Sequence, residues 1–211
     1  MIVARGRWWG AAVIVGAFLL GVATLLHPWI THPLVQISDV EQAAHHQGWN
    51  ADHIIMMLAL LLWIGGLVGL GTGRKSTGDR VQFSTIAHGV SFFLSAALAI
   101  WLVILAAELT VMPLLFLRMQ ADVLYTHLAQ AWLSFSLLAG YLAMALIWGG
   151  CFLLAKSLGK RWGERAALWG LLGILAGLAS PGGSLVILAV TQPAPFAWTI
   201  YTGWRYWREN E

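Results

Sequence analysis

Residues 51–72 read ADHIIMMLALLLWIGGLVGLGT, and this stretch decides the fold. After Asp52 and His53 it carries no charged side chain through Thr72. An apolar run of about 18 residues or more can cross the hydrocarbon core of a bilayer, which is roughly 30 Å thick. The stretch therefore predicts a membrane-spanning helix with two ionisable residues at one end.

Further apolar segments lie on both sides of this stretch. The protein is 59% hydrophobic and only 10% charged, whereas soluble domains carry about 25% charged residues, which argues against a soluble domain. Ser180-Pro181-Gly182-Gly183 reads as a turn, although joining 166–190 into one helix would give five spans. We predict an all-α polytopic membrane helix bundle, a single domain over 1–211 with six transmembrane helices near 8–30, 51–72, 83–110, 124–155, 164–181 and 184–207.

The basic residues favour six spans over five. With six, eleven of the twelve Lys and Arg residues share one side and only Arg118 is opposite. Five spans would place Arg205 and Arg208 on the other side. Short loops rich in Lys and Arg stay in the cytoplasm, so we predict cytoplasmic N and C termini. The basic residues lie where the six-span topology requires them. They therefore predict a lipid bilayer as the partner and no binding of nucleic acid.

Small residues predict where the helices touch. Gly65 and Gly69 in the second span, and Gly170, Gly173 and Gly177 in the fifth, would let helix backbones approach closely.

The longest polar segment runs from Thr31 to Asn50. Ser38 and Glu41 fit a capping box, and we expect a short surface helix over 39–47 on the outer face. His45 and His46 would then lie in its last turn, which we interpret as a solvated helix end.

Histidines concentrate on one side of this topology. Six of the seven fall on the outer side, and only His88 is near the inner end. Ionisable groups inside a membrane usually face the bundle interior and are functional candidates. Four side chains are predicted at similar depth near the outer ends of the spans: His27, His53, Glu108 and His127.

Two of these histidines are expected in the first turn of a helix. Asn50 is predicted to cap the helix of His53, and Asp122 the helix of His127. The positive end of a helix disfavours a protonated imidazole and so leaves a lone pair free. His127, Gln130, Ser134 and Tyr141 form a polar stripe on the fourth span, which we expect to face a stripe of Trp49, His53, Met56 and Leu60 on the second.

Three chemistries fit such a cluster. His53 and His127 could hold haem b axially, or His27, His53, His127 and Glu108 could bind a Zn, Cu or Fe ion. A quinol site would use a histidine and a carboxylate as proton acceptors. The plain alternative is that histidine is tolerated at membrane interfaces, because no spacing here is diagnostic of a metal site.

Three short patterns carry a resemblance: His27-Pro28 at the end of the first span, Trp49-x3-His53 at the start of the second, and the late break at Pro181-Gly182-Gly183. The chain is similar to a broad group of uncharacterised bacterial six-helix membrane proteins. The resemblance implies a multi-pass protein of the bacterial inner membrane and supplies no activity.

These features predict an integral membrane subunit of a respiratory or photosynthetic electron-transfer complex, with haem b, a metal ion or a quinol near its outer face. Its loops are too short for a soluble active site, so other membrane protein subunits are expected as partners. The alternative is a purely structural subunit without a cofactor. A small transporter or channel is disfavoured because the helix interiors carry almost no charge.

Overall fold

The computed structural model describes residues 2–28, 30, 34–72, 80–180 and 184–208. Thr31 and the Pro181-Gly182-Gly183 turn, which were used above, lie outside this part of the chain. The described residues form eight helices: α1 Ile2–Leu26, α2 Ile37–Ala44, α3 Trp49–Thr72, α4 Arg80–Arg118, α5 Val123–Ser157, α6 Arg161–Ala179, α7 Ser184–Thr191 and α8 Pro193–Arg208. The predicted all-α class is confirmed.

Among the described residues, five segments are long and apolar enough to cross a membrane: Arg7–Leu26, Trp49–Thr72, Thr85–Arg118, Val123–Ser157 and Ser184–Arg208. The fifth comprises α7 and α8, which break at Gln192 just before Pro193. A proline cannot donate the backbone hydrogen bond that would continue a helix. The 19-residue α6 is not among the five, and its first two turns carry Arg161, Glu164 and Arg165. The count of six spans stays a prediction.

The start of α1 and the end of α8 lie at the same end of the bundle. The guanidinium of Arg7 lies 5.8 Å from the ring centre of Trp207. A Cβ on Gly10 would lie 2.5 Å from the carbonyl oxygen of Gly203, so α1 and α8 approach to backbone contact here. We call this the basal end, and the opposite end, where α1 finishes beside the start of α3, the distal end.

Aromatic and aliphatic side chains fill the middle of the bundle. Trp63, Trp148 and Trp198 are almost fully buried. The ring of Trp63 stacks on Phe196 with centroids 4.7 Å apart, and its Nε1 donates to the Thr199 hydroxyl at 3.1 Å. Trp63 is therefore a packing residue.

Gly69, Gly170, Gly173 and Gly177 lie at helix contacts, as predicted, although it is side chains rather than backbones of neighbouring helices that approach them. A Cβ on Gly69 would collide with the ring of Trp9, and one on Gly170 would lie 2.8 Å from Pro195 Cγ. The prediction was wrong for Gly65, where a Cβ would meet nothing within 4 Å.

The distal end is covered by the segment between α1 and α3. Val40 and Ala43 of α2 are fully buried in a small apolar cluster with Met112 of α4. Gln130 Nε2 on α5 donates to the carbonyl oxygen of Val35 at 2.8 Å. These contacts fold the segment back over the ends of α3, α4 and α5.

The start of α2 differs from the prediction. The helix begins at Ile37 rather than at residue 39, because the Asp39 carboxylate accepts a hydrogen bond from the Gln36 backbone N–H at 2.7 Å. It ends at Ala44, which places His45 and His46 beyond its last turn. Ser38 is therefore inside the helix and is not its cap.

Candidate metal centre at the distal end

Four segments bring ionisable side chains together at the distal end. His27 directly follows α1, and its backbone N–H still donates to Ala23. Asp52 and His53 lie in the first turns of α3, and Glu108 lies in the second half of α4. His46 comes from the turn between α2 and α3.

The helix α3 begins one residue before Asn50, the predicted cap. The carbonyl oxygen of Gly48 accepts from Asp52 N at 3.0 Å, so Gly48 precedes the helix. The carboxylate of Asp52 in this first turn is favoured by the positive end of the helix dipole. The predicted cap of α5 is confirmed, because Asp122 Oδ1 accepts from Leu124 N at 2.8 Å.

His53 is fully buried between two carboxylates. Its Nδ1 lies 2.6 Å from Asp52 Oδ1 and 2.6 Å from the Trp49 carbonyl oxygen. A carbonyl oxygen can only accept, so Nδ1 carries a proton in this arrangement. On the other side of the ring, Nε2 lies 3.0 Å from Glu108 Oε2. His53 therefore links α3 to α4 through Nε2, while the partners of Nδ1 lie on α3 itself.

Asp52 is the centre of the cluster. Its side chain is 1% exposed, and its two oxygens face three imidazoles. Oδ1 pairs with His53, while Oδ2 lies 3.1 Å from His27 Nδ1 and 3.3 Å from His46 Nε2. One buried carboxylate thus gathers imidazoles from three separate segments.

The nitrogen of His46 is not satisfied in this arrangement. Its Nε2 is buried, and the described residues offer it no hydrogen bond of acceptable geometry. The 3.3 Å approach to Asp52 is therefore a contact at ion-pair distance without a well-aligned hydrogen bond. A buried nitrogen without a partner is costly, and a metal ion would satisfy it.

Trp49 forms one wall of the cluster. Its ring lies 4.2 Å from the ring of His53, centre to centre, and its Nε1 donates to the Glu108 carbonyl oxygen at 2.8 Å. Phe116 packs edge-on against the same indole at 5.2 Å. An apolar wall around polar ligands restricts water and lowers the local dielectric.

These residues could hold a metal ion. One donor atom from each of His27, Asp52 and His53 lies within 4.8 Å of the others. In a tetrahedral site with bonds of about 2.1 Å, ligand atoms are about 3.4 Å apart. The 3.1 Å between Asp52 Oδ2 and His27 Nδ1 is close to that spacing. His46 is not part of this three-residue group, and its Nε2 approaches the same Asp52 oxygen at 3.3 Å. The 2.6 Å pair between Asp52 and His53 would have to open by under about 1 Å.

The structure unites some of the predicted site residues and separates one. His27, His53 and Glu108 meet, although Glu108 contacts only the Nε2 side of His53. His127 is exposed and lines a different recess, with residues 34–38, Gln130 and Ser134. His127, Gln130 and Ser134 of the α5 stripe therefore face residues 34–38, whereas Tyr141 lies against Gly177 of α6, and the expectation that the stripe faces α3 was wrong.

This geometry gives no support to haem held by His53 and His127. His127 is exposed and lines another recess, apart from the fully buried His53. The stripe predicted on α3 forms a buried face of that helix, because Trp49, His53, Met56 and Leu60 are all buried.

Two residues of the cluster were not identified from the sequence. Asp52 was described only as an ionisable residue at one end of a predicted span, and His46 as part of a solvated helix end. Asp52 had one available signal, its position beside His53 in the same turn. For His46 no sequence signal existed, because its position depends on how 34–48 folds over the bundle.

Comparison with known proteins adds no assignment: no family model, curated protein or solved structure matches the chain.

Proposed function

We propose that this chain is a membrane protein that holds one divalent transition-metal ion at the distal cluster, with His27, His46, Asp52 and His53 as ligands. The supporting observation is the buried Asp52 carboxylate, whose two oxygens lie within 2.6–3.3 Å of three imidazole nitrogens. Nitrogen and oxygen donors without thiolate suit Zn, Cu or Fe ions.

Glu108 has a separate role in this proposal. A metal-bound histidine commonly donates its other ring N–H to a carboxylate, which fixes the ring orientation. With the ion on Nδ1 of His53, the Nε2–H donates to Glu108 Oε2, which is already 3.0 Å away. The ion replaces the proton on Nδ1, so binding releases one proton. Glu108 therefore orients a ligand and does not bind the ion.

We further propose the setting predicted above, an accessory subunit of a respiratory or photosynthetic electron-transfer complex in a bacterial inner membrane. Six spans, including α6, and cytoplasmic chain ends belong to this proposal. Many large apolar side chains are exposed on the helices, such as Phe92, Leu117 and Phe135, and lipid or neighbouring subunits would cover them. A redox role requires copper or iron, which electron paramagnetic resonance of purified protein would distinguish from zinc.

A second candidate is a structural clasp without an ion. It is favoured by the complete pairing of His53 in the structure as it stands, with Nδ1 held by Asp52 on α3 and Nε2 joined to Glu108 on α4. In that case the cluster would only fasten the helices at the distal end.

Metal titration separates these candidates. Full-length protein in detergent is stripped with chelator and titrated with Zn²⁺, alongside Asp52→Asn and the control Asp122→Asn, whose carboxylate is exposed on another helix. The metal proposal predicts about one ion per chain for the wild type and the control, and no saturable binding for D52N. Absence of saturable binding to any of the three, with D52N merely less stable, would favour the clasp.

A further inference from the structure

A second recess lies at the basal end, away from the histidine cluster. It has a volume of about 760 Å³ and lies between the turn joining α5 to α6 and the last half of α8. Gly159 makes this turn with a left-handed backbone, φ +64°, which favours glycine.

Its polar lining is cationic. Lys160, Arg161 and Arg205 contribute to the wall, and no carboxylate is among its described lining residues. Lys160 and Arg161 are exposed, and Arg205 is partly exposed. Three positive side chains around one recess attract a phosphate group.

Its other walls are aromatic. Trp162 and Tyr201 are about half exposed, and their rings pack edge-on with centroids 5.9 Å apart. Indole and phenol rings favour the headgroup level of a bilayer because each has an apolar body and a polar tip. The recess thus combines cations at the end of the bundle with exposed aromatic surface on the helices.

We infer that this basal recess binds the headgroup of an anionic phospholipid, with Lys160, Arg161 and Arg205 around the phosphate and Trp162 and Tyr201 beside the first carbons of the acyl chains. Basic pockets between transmembrane helices are known to take such headgroups. A phospholipid is favoured over free phosphate because the recess lies where α5 ends and α6 begins, at a membrane boundary, with apolar rings on one side. This inference does not depend on the metal centre.

Native mass spectrometry of full-length protein tests it. Palmitoyl-oleoyl phosphatidylglycerol or the matching phosphatidylcholine is added in detergent, and retained lipid is counted. We compare wild type with K160Q/R161Q/R205Q and with the control K156Q/R165Q/R208Q, which removes three exposed basic residues that do not line the recess. Each basic residue near an anionic headgroup contributes roughly fivefold to binding.

The inference predicts that wild type and control retain phosphatidylglycerol in preference to phosphatidylcholine, and that the recess variant loses tenfold or more of this retention. An equal loss in both triple variants would overturn it, since general surface charge would then explain binding. Displacement of the lipid by excess inorganic phosphate would also overturn it, in favour of a free phosphate site. Should the triple variant fail to fold, Lys160→Gln alone must weaken retention by about fivefold, and unchanged retention contradicts the inference.

Discussion

Replacing Glu108 separates the orienting role proposed for it from the role of a ligand. Glu108 is 7% exposed and makes one side-chain bond within the cluster, at 3.0 Å to His53 Nε2. Loss of such an outer carboxylate typically costs 10–100-fold in metal affinity. In Glu108→Gln the amide oxygen can still accept from Nε2 but the charge is gone, so we expect about a tenfold loss, or about 1.4 kcal/mol. Glu108→Ala removes the acceptor and should approach about 100-fold.

The assay is titration of chelator-stripped protein with Co²⁺, followed by its visible absorption. The band positions should stay the same in both Glu108 variants, because the ligand set is unchanged, while the midpoint shifts. Glu41→Gln, an exposed carboxylate on α2, should leave both unchanged. If E108A bound cobalt as tightly as wild type, or if E108Q abolished binding as D52N does, the orienting role would be refuted.

Three further predictions follow from the same structure. Because the ion replaces the proton on His53 Nδ1, metal affinity should fall as the pH is lowered. Calorimetry in two buffers of different ionisation enthalpy should report about one proton released per bound ion. Release of no proton would contradict His53 Nδ1 as a ligand. Gly16→Ala should lower the free energy of unfolding by about 1–3 kcal/mol, because its Cβ would collide with the backbone nitrogen of Trp63. Gly21→Ala should leave the free energy of unfolding unchanged, because its Cβ would meet nothing within 4 Å. Asp122→Ala should cost about 1 kcal/mol through the lost cap at α5, measured by thermal unfolding; equal stability would contradict the cap.

Much of the fold could be predicted because helix formation in an apolar environment leaves few choices. A chain that enters a bilayer must satisfy its backbone hydrogen bonds internally, so the apolar run after His53 had to be a helix. Its buried face was also predictable, because Trp49, His53, Met56 and Leu60 recur at helical spacing. The start of α2 shifted by two residues, because Asp39 made a cap that was not foreseen.

The candidate site was only half predictable, for a physical reason. The depth of a residue in the membrane follows from its position along a span. His27, His53 and Glu108 are therefore predicted at a similar depth. The direction in which a side chain points around the bundle axis does not follow from its position along a span. His127 lines a different recess for this reason. His46 depends on apolar burial of α2 by residues far away in the chain, which no local pattern encodes.

The most direct test of the central claim is X-ray absorption spectroscopy of the zinc-loaded, full-length protein. The account predicts nitrogen and oxygen ligands only, at about 2.0–2.2 Å, with the outer-shell scattering of at least two imidazoles, and the loss of this signal in D52N. A zinc spectrum with oxygen ligands alone and no imidazole scattering would contradict the proposed centre.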